Sequence, residues 1–146
     1  MNGFMQIALA EAQAAAARGE VPVGAVVVRG RQILARTGNE VEARHDPTAH
    51  AEILAVRAAC ARLGLPRLEG CDLYVTLEPC PMCAGAIALA RIRRLYFAAY
   101  DPKGGGVEHG GRVFDRSTCQ HRPDYYGGLG ESEAAALLRA FFKLRR

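Results

Sequence analysis

Two cysteines lie three residues apart where a predicted strand gives way to a predicted helix. The apolar run DLYVTL at residues 72–77 is followed by EPCPMC, in which prolines flank Cys80. Pro81 suits the first position of a helix, where its missing N–H costs nothing. Cys80 and Cys83 would then share one face of the first turn, where the helix dipole stabilises thiolates. The fold must therefore place two reactive thiols at a strand-to-helix boundary.

Helical and strand-like segments alternate along the first hundred residues. The predicted order begins with a helix at residues 3–18 that ends at Gly19 and a two-stranded hairpin at residues 21–28 and 32–37. A helix at residues 46–63, capped by Asp46, a strand at 72–77, a helix at 81–92 and a strand at 94–100 follow. Such alternation predicts an α/β fold with a layered sheet. Since no linker or repeat divides the chain, residues 1–146 are predicted to form a single domain.

The last third of the chain has a different character. Glycine-rich residues 104–128 are predicted to be loop with short elements. A final helix is predicted over residues 131–145, with basic residues including Arg146 at its end. Its buried face is predicted to consist of Leu137, Leu138, Phe141 and Phe142.

Composition limits the environment and the partners. No apolar run approaches the roughly 20 residues that a membrane helix needs. The five cysteines are an odd number, which argues against a disulfide framework and favours metal or catalytic use in a reducing compartment. We therefore expect a cytoplasmic protein that does not enter a membrane. A net charge of +4 and a pI of about 9.0 favour an anionic partner.

A second polar pair opens the helix that precedes the cysteines. In mid-helix His50 and Glu52 would point to nearly opposite faces, but side chains of a first turn tilt towards the helix start and can flank one point. In an α/β sheet, both helix starts would lie at the edge where strands end. One imidazole and two thiolates are three zinc ligands, which leaves a fourth position for water. Glu52 could then accept a proton from that water.

Two other interpretations of Cys80 and Cys83 remain open at this point. A strand followed by C-x-x-C at a helix start is also typical of thioredoxin-like redox proteins, although the His-x-Glu pair would then have no role. A structural zinc site needs four protein ligands, and Cys119 and His121 could complete such a set.

His-x-Glu followed by Pro-Cys-x-x-Cys is the signature of the zinc nucleobase deaminases. Longer stretches resemble the bacterial tRNA-specific adenosine deaminases, the TadA family: EVPVGAVVV, RHDPTAHAEI, LYVTLEPCPMCAGAI and YDPKGG at residues 20–28, 44–53, 73–87 and 100–105. The resemblance implies a cytidine-deaminase-like, three-layer α/β/α fold with a five-stranded mixed sheet. It also implies a homodimer with one zinc ion per subunit that converts adenosine to inosine at the wobble position of an arginine tRNA anticodon.

The resemblance assigns roles to single residues. The implied zinc ligands are His50, Cys80 and Cys83, and the implied proton carrier is Glu52. The implied contacts to the substrate are Asn39 and the backbone of Ala51 to the purine, with Asp101 and Lys103 facing the tRNA anticodon stem-loop.

The sequence departs from the family pattern over residues 106–128, where many bacterial members have a more helical stretch containing Leu and Met. Two other functions therefore remain open. One is a free-base or nucleoside deaminase that acts on cytosine or guanine with the same zinc site. The other is a non-catalytic RNA-binding protein with a structural zinc.

Overall fold

One five-stranded sheet organises the molecule, and the computed structural model describes residues 3–145 of it. Arg146, predicted at the end of the last helix, lies outside the described residues. The elements are α1 Gly3–Ala17, β1 Gly24–Arg29, β2 Gln32–Gly38, α2 Val41–Arg44, α3 Ala51–Leu63, β3 Asp72–Leu77, α4 Pro81–Leu89, β4 Arg94–Ala99, β5 Asp124–Gly127 and α5 Glu131–Lys143. A short 3-10 turn, Val113–Asp115, lies between β4 and β5.

Strand direction decides which ends of the elements meet. The strands are arranged in the order β2-β1-β3-β4-β5. β1 is antiparallel to both of its neighbours, whereas β3, β4 and β5 are parallel to one another. β2, β3 and β4 therefore end at the same edge of the sheet. Because α3 follows β2 through α2, and α4 follows β3 directly, both helices begin at that edge.

Helices cover both faces of the sheet, which confirms the predicted three-layer α/β/α arrangement with a five-stranded mixed sheet. On one face, small side chains of α3 and α4 pack against apolar residues of β1, β3 and β4; the core there includes Ala51, Ala55, Ala59, Ala84, Ile87, Val27, Leu73, Leu95 and Phe97. On the other face, α1 and α5 cover Val26, Val28, Tyr74 and Ala98. Between Gly3 and Arg145, none of the helices combines the length and apolarity needed to cross a bilayer.

The structure corrects the predicted start of α3. Asp46 accepts hydrogen bonds from the backbone N–H and the hydroxyl of Thr48, at 2.8 and 2.7 Å, so it closes a turn instead of capping the helix. The helix begins at Ala51, with the extended residue His50 at its N-cap. It ends as predicted at Gly64, whose φ of 67° is the left-handed conformation that glycine adopts readily.

Two further details differ from the sequence-based prediction, at the end of α4 and on α5. α4 ends at Leu89, three residues before the predicted Ile92. β5 is one of the short elements expected within the glycine-rich residues 104–128. On α5, Phe141 is buried as predicted, but Phe142 is 48% exposed. Consecutive residues of a helix point about 100° apart, so these two rings do not share one buried face.

Candidate active site

Three metal-binding side chains meet where α3 and α4 begin. His50 and Cys80 are the N-cap residues of the two helices, and Cys83 lies in the first turn of α4. The His50 Nδ1 atom is 3.7 Å from Cys80 Sγ and 3.5 Å from Cys83 Sγ. All three donor atoms lie within 4.8 Å of one another. The structure thus brings together the three predicted ligands, from positions 30 and 33 residues apart in the chain.

These donors fit a zinc ion. A tetrahedral zinc binds nitrogen at about 2.0 Å and sulfur at about 2.3 Å, which places neighbouring donors about 3.6 Å apart. The set holds two thiolates and one imidazole, so a fourth coordination position is left for water. Within residues 3–145, no other group of three or more His, Cys, Asp or Glu side chains has such a geometry.

The four-ligand structural zinc site considered from the sequence is wrong. Cys119 and His121 do not join the cluster. The Cys119 thiol donates to the His121 carbonyl at 3.2 Å, and His121 Nε2 lies 2.7 Å from the carbonyl oxygen of Ile92. The Cys119 thiol is therefore engaged within its own loop, and His121 is engaged with the connection between α4 and β4.

Glu52 lies beside the donor set without belonging to it. Its carboxyl group, in the first turn of α3, is only 4% exposed. Burial raises the pKa of Glu52 to about 7, because the charged form loses its hydration. A carboxyl group with a pKa near neutrality can both accept and release a proton, as a general acid–base catalyst must.

The two thiols share one proton in the metal-free chain. A hydrogen bond from Cys83 is the main cause that lowers the pKa of Cys80 to about 5. The same hydrogen bond, together with burial, raises the pKa of Cys83 well above its usual range. Cys80 is therefore a thiolate at neutral pH, and a bound dication would displace the remaining proton from Cys83.

A cavity of about 600 Å³ opens onto this cluster. His50, Glu52 and Cys80 contribute to its lining, with Asn39 and Asp101 among the other residues. Its volume lies in the range of small-molecule sites, roughly 300–1,000 Å³. The cavity therefore has room for a nucleobase next to the three donors and the buried carboxyl group.

Asn39 and Ala51 are joined by a hydrogen bond at the cavity wall. The Ala51 N–H donates to Asn39 Oδ1 at 2.7 Å, and the Ala51 carbonyl accepts from the Thr37 hydroxyl at 2.7 Å. Since Oδ1 is engaged, the NH2 group of Asn39 is the part of this side chain that can donate to a ligand. The N–H and the carbonyl of Ala51 each have a partner within the chain.

Asp101 and Lys103 have different surroundings. Asp101 contributes to the cavity, and its carboxylate accepts from the Gly104 N–H at 2.9 Å. Lys103 lies instead beside an adjacent depression lined by Tyr100, Leu138 and Phe142. Of the four predicted substrate contacts, Asn39 and Asp101 line the cavity and Ala51 is hydrogen-bonded to Asn39 at its wall. Lys103 does not line the cavity.

Sequence reasoning missed Glu78 and His109. Glu78 directly follows β3, is 1% exposed, and its Oε1 lies 2.8 Å from His109 Nδ1. Burial alone would raise the pKa of Glu78, but hydrogen bonds from the Asp101 N–H and from His109 outweigh it and hold the pKa below its usual range. An acidic residue at the end of a buried strand was the one signal in the sequence.

Comparison with known proteins places the chain in a family. The model of the cytidine and deoxycytidylate deaminase zinc-binding region matches residues 1–99, which include the three donors and Glu52. The chain belongs to this deaminase family. It is 58% identical over 143 residues to a tRNA-specific adenosine deaminase of Agrobacterium fabrum, covering 98% of this chain and 94% of that protein. A tRNA-specific adenosine deaminase of Aquifex aeolicus is 48% identical over 145 residues, covering 98% and 94%.

Solved structures of deaminases have the same fold. A structure from work on A-to-I editing by tRNA:A34 deaminases at the wobble position of transfer RNA matches with a TM-score of 0.92 and 58% identity, covering 93% of this chain and 99% of that one. Guanine deaminase from Bacillus subtilis matches with a TM-score of 0.67 and 34% identity, covering 99% and 94%. These matches confirm the cytidine-deaminase-like fold, and the family confirms the zinc chemistry that the donor set predicts.

Replacing Glu52 by glutamine should change how the stability of the metal-free protein depends on pH. The folded-state pKa of about 7 exceeds the ordinary 4.5, so wild-type stability falls as pH rises through this interval, while the glutamine variant has no such loss. Between about pH 5 and pH 8, the variant should gain about 2 kcal/mol relative to wild type. Urea unfolding with a chelator present measures this, and parallel curves for the two proteins would refute the elevated pKa.

Removing one donor should remove the metal. Cys83→Ala leaves two ligands, so the purified variant should contain much less than one zinc ion per chain after dialysis, by elemental analysis. Cys119→Ala is the matched control, since Cys119 lies outside the donor set, and it should retain zinc as wild type does. Zinc loss from the Cys119 variant would instead restore the structural-site interpretation.

Proposed function

We propose that this chain is a zinc-dependent enzyme that hydrolyses adenosine to inosine at the wobble position of tRNA, with the anticodon stem-loop of an arginine tRNA as its substrate. The observation that carries the chemistry is Glu52, a buried carboxyl group with a pKa of about 7 that lies beside three zinc donors without joining them. The names of relatives that align over nearly the whole chain support the substrate.

In the proposed mechanism, water adds at C6 of adenine and ammonia leaves. Zinc bound by His50, Cys80 and Cys83 would lower the pKa of a water molecule to about 7, which makes hydroxide available at neutral pH. Glu52 accepts the proton of the attacking water and delivers it to N1, which makes C6 more electrophilic. Glu52 then takes the second proton from the new hydroxyl at C6 and delivers it to the amine, so that ammonia leaves and the C6 carbonyl of inosine forms. A positioned proton transfer of this kind typically contributes ~10²–10⁴-fold to the rate.

The cavity walls would hold the base and its neighbours. Asn39 would donate its NH2 group to the purine, and its hydrogen bond to the Ala51 N–H keeps the side chain in place. Asp101 would contact the nucleotides that flank the flipped base, with Lys103 close to the RNA backbone. At the rim, Arg145 stacks over the Phe141 ring at 3.5 Å and offers a positive charge to a phosphate.

Deamination of a free base is the second candidate. Guanine deaminases share the fold at 28% and 34% identity, and the cavity volume does not separate a free purine from a flipped nucleotide. The identity of 58% to a tRNA-specific enzyme favours the RNA substrate.

We also propose that the chain is a homodimer that pairs through α4. One face of this helix packs in the core through Cys83, Ala84 and Ile87. The opposite face carries Met82 and Leu89, which are 39% and 76% exposed and lie two helical turns apart. A helix that is apolar all round is normally buried on all sides, and a second copy would cover this face.

We also propose that the chain forms a single domain and is located in the cytoplasm. β5 and α5 lie beyond the matched residues 1–99, but they extend the same sheet and cover its second face, so one domain over residues 1–146 is the simplest organisation. The five cysteines, all within the described residues, form no disulfide with one another, as expected in a reducing compartment. One cooperative unfolding transition and recovery of the tagged chain in the cytosolic fraction are the expected results; two transitions or a membrane fraction would contradict them.

The first test of function is a product assay with zinc-loaded protein. The substrates are an anticodon stem-loop with adenosine at position 34 and, separately, free adenosine, cytosine and guanine. Inosine should form in the stem-loop only, and Glu52→Ala should keep its zinc but lose at least about 100-fold in rate. Turnover of a free base alone would favour the second candidate, and an active Glu52→Ala protein would refute the proposed proton carrier.

The dimer is tested by a charge on its proposed face. Leu89→Glu should shift the protein to monomers in sedimentation velocity, because a buried glutamate at the interface would lose its hydration. Leu65→Glu, at another exposed leucine, is the matched control and should leave the oligomeric state unchanged. A monomeric wild type, or a dimer that survives the Leu89 change, would contradict the proposed interface.

A further inference from the structure

One buried carboxylate accepts hydrogen bonds from both ends of a loop. We name residues 101–109 the glycine loop. Glu78 Oε1 accepts from the Asp101 N–H at 3.0 Å and lies 2.8 Å from His109 Nδ1. Its Oε2 accepts from the backbone N–H groups of Val107, Glu108 and His109, at 3.2, 2.9 and 3.0 Å. The two ends of the glycine loop are therefore joined through a single side chain.

The glycines let this loop approach the metal site closely. A Cβ atom on Gly106 would lie 2.7 Å from the Pro81 nitrogen and 2.8 Å from the Pro81 Cα atom, closer than real contacts allow, and 3.0 Å from the Cys80 carbonyl carbon. A Cβ atom on Gly105 would lie 2.5 Å from Glu78 Oε2. The Gly106 N–H also donates to the Pro79 carbonyl at 2.8 Å. The loop thus lies directly on the backbone that carries the zinc ligand Cys80.

The same loop supplies one wall of the cavity. Asp101 and Gly104 line it, whereas Lys103 of the same loop lies beside the adjacent depression. His109 fixes the far end of the loop, because its ring packs edge-on against Tyr100 at 6.1 Å while Nδ1 faces Glu78. If Glu78 lost its acceptor role, this wall would move relative to Cys80, although no zinc ligand and no proton carrier would have changed.

We infer that Glu78 is a positioning residue that holds the glycine loop in the shape that binds the RNA nucleotides around the target base. The RNA part of this inference rests on the proposed function, whereas the restraint on the loop rests on the hydrogen bonds alone. Glu78 borders the cavity, but both of its carboxylate oxygens are occupied by donors of the glycine loop, and Glu52 is the proposed proton carrier. Its removal should therefore weaken binding of the stem-loop much more than it slows the chemical step.

Glu78→Gln is the sharpest substitution because it keeps the shape of the side chain. Each carboxylate oxygen accepts at least two N–H groups, so whichever oxygen becomes NH2, at least two donors of the loop face another donor. Asp72→Asn is the matched control. Asp72 is a mostly buried carboxylate at the opposite end of β3, where it pairs with Arg93 at 2.9 Å, far from the loop.

The first experiment is amide hydrogen exchange of the zinc-loaded proteins, followed by NMR. In Glu78→Gln, the amides of residues 101 and 107–109 should exchange at least about tenfold faster, while amides of β3 and α3 keep their wild-type rates. In Asp72→Asn, the loop amides should keep theirs. Unchanged loop amides, or equal acceleration throughout the Glu78→Gln protein, would overturn the inference.

The second experiment separates binding from chemistry on the stem-loop. Glu78→Gln should raise KM about tenfold and change kcat less than about twofold, with one zinc per chain retained. Asp72→Asn should leave both constants unchanged. A fall in kcat at unchanged KM, or wild-type values of both constants, would overturn the inference. If wild type leaves the stem-loop untouched, the proposed function and the RNA part of this inference both fail, and the exchange data alone decide whether Glu78 restrains the loop.

His109 provides a milder variant in case Glu78→Gln does not fold. His109→Ala removes one donor, whereas the Nδ2 atom of His109→Asn can take the place of Nδ1. We expect KM to rise about threefold in the alanine variant and to return towards the wild-type value in the asparagine variant. Equal effects of the two substitutions would show that the hydrogen bond to Glu78 does not position the loop.

Discussion

The common direction of β2, β3 and β4 is the constraint on which the site depends. Since these strands end at one edge, the helices that follow β2 and β3 begin side by side, although their zinc donors are about thirty residues apart in the chain. His50 comes from one helix start, and Cys80 and Cys83 come from the other. A reversal of either strand would carry one donor group to the opposite edge of the sheet and leave no three-ligand site.

Three buried carboxyl groups lie near the cavity, and their hydrogen bonds decide whether each one holds a loop in place or exchanges a proton. Glu20 accepts from the Glu42 and Ala43 N–H groups at 3.0 and 2.9 Å and so fixes the start of α2 beside Asn39. Glu78 accepts several N–H groups of the glycine loop, and its pKa is lowered. For Glu52 the effect of burial prevails and the pKa is raised. Glu20 and Glu78 hold two different segments of the cavity lining, and Glu52 can exchange a proton at neutral pH.

The sequence predicted the parts of the site that depend on local spacing. Cys80, Cys83, His50 and Glu52 lie within the first turns of two helices, so short motifs sufficed to find them. The start of α3 was misplaced because Asp46 can cap either a helix or a turn, and Thr48 decides between these locally. The partner of the glycine loop could not be predicted, because Glu78 is 23 to 31 residues from its donors and only the folded sheet brings them together.

The positions of His50 and Cys80 at the N-caps of α3 and α4 carry a cost in local stability. Neither side chain makes a capping hydrogen bond, whereas Ser, Asp or Asn at such a position typically contributes about 1 kcal/mol. A metal ion bound by both residues would join two neighbouring helices of one layer at their uncapped ends. The fraction of the chain that is folded then depends on the concentration of available metal. Growth in zinc-depleted medium would lower the amount of folded chain that a cell accumulates as well as the activity of each molecule.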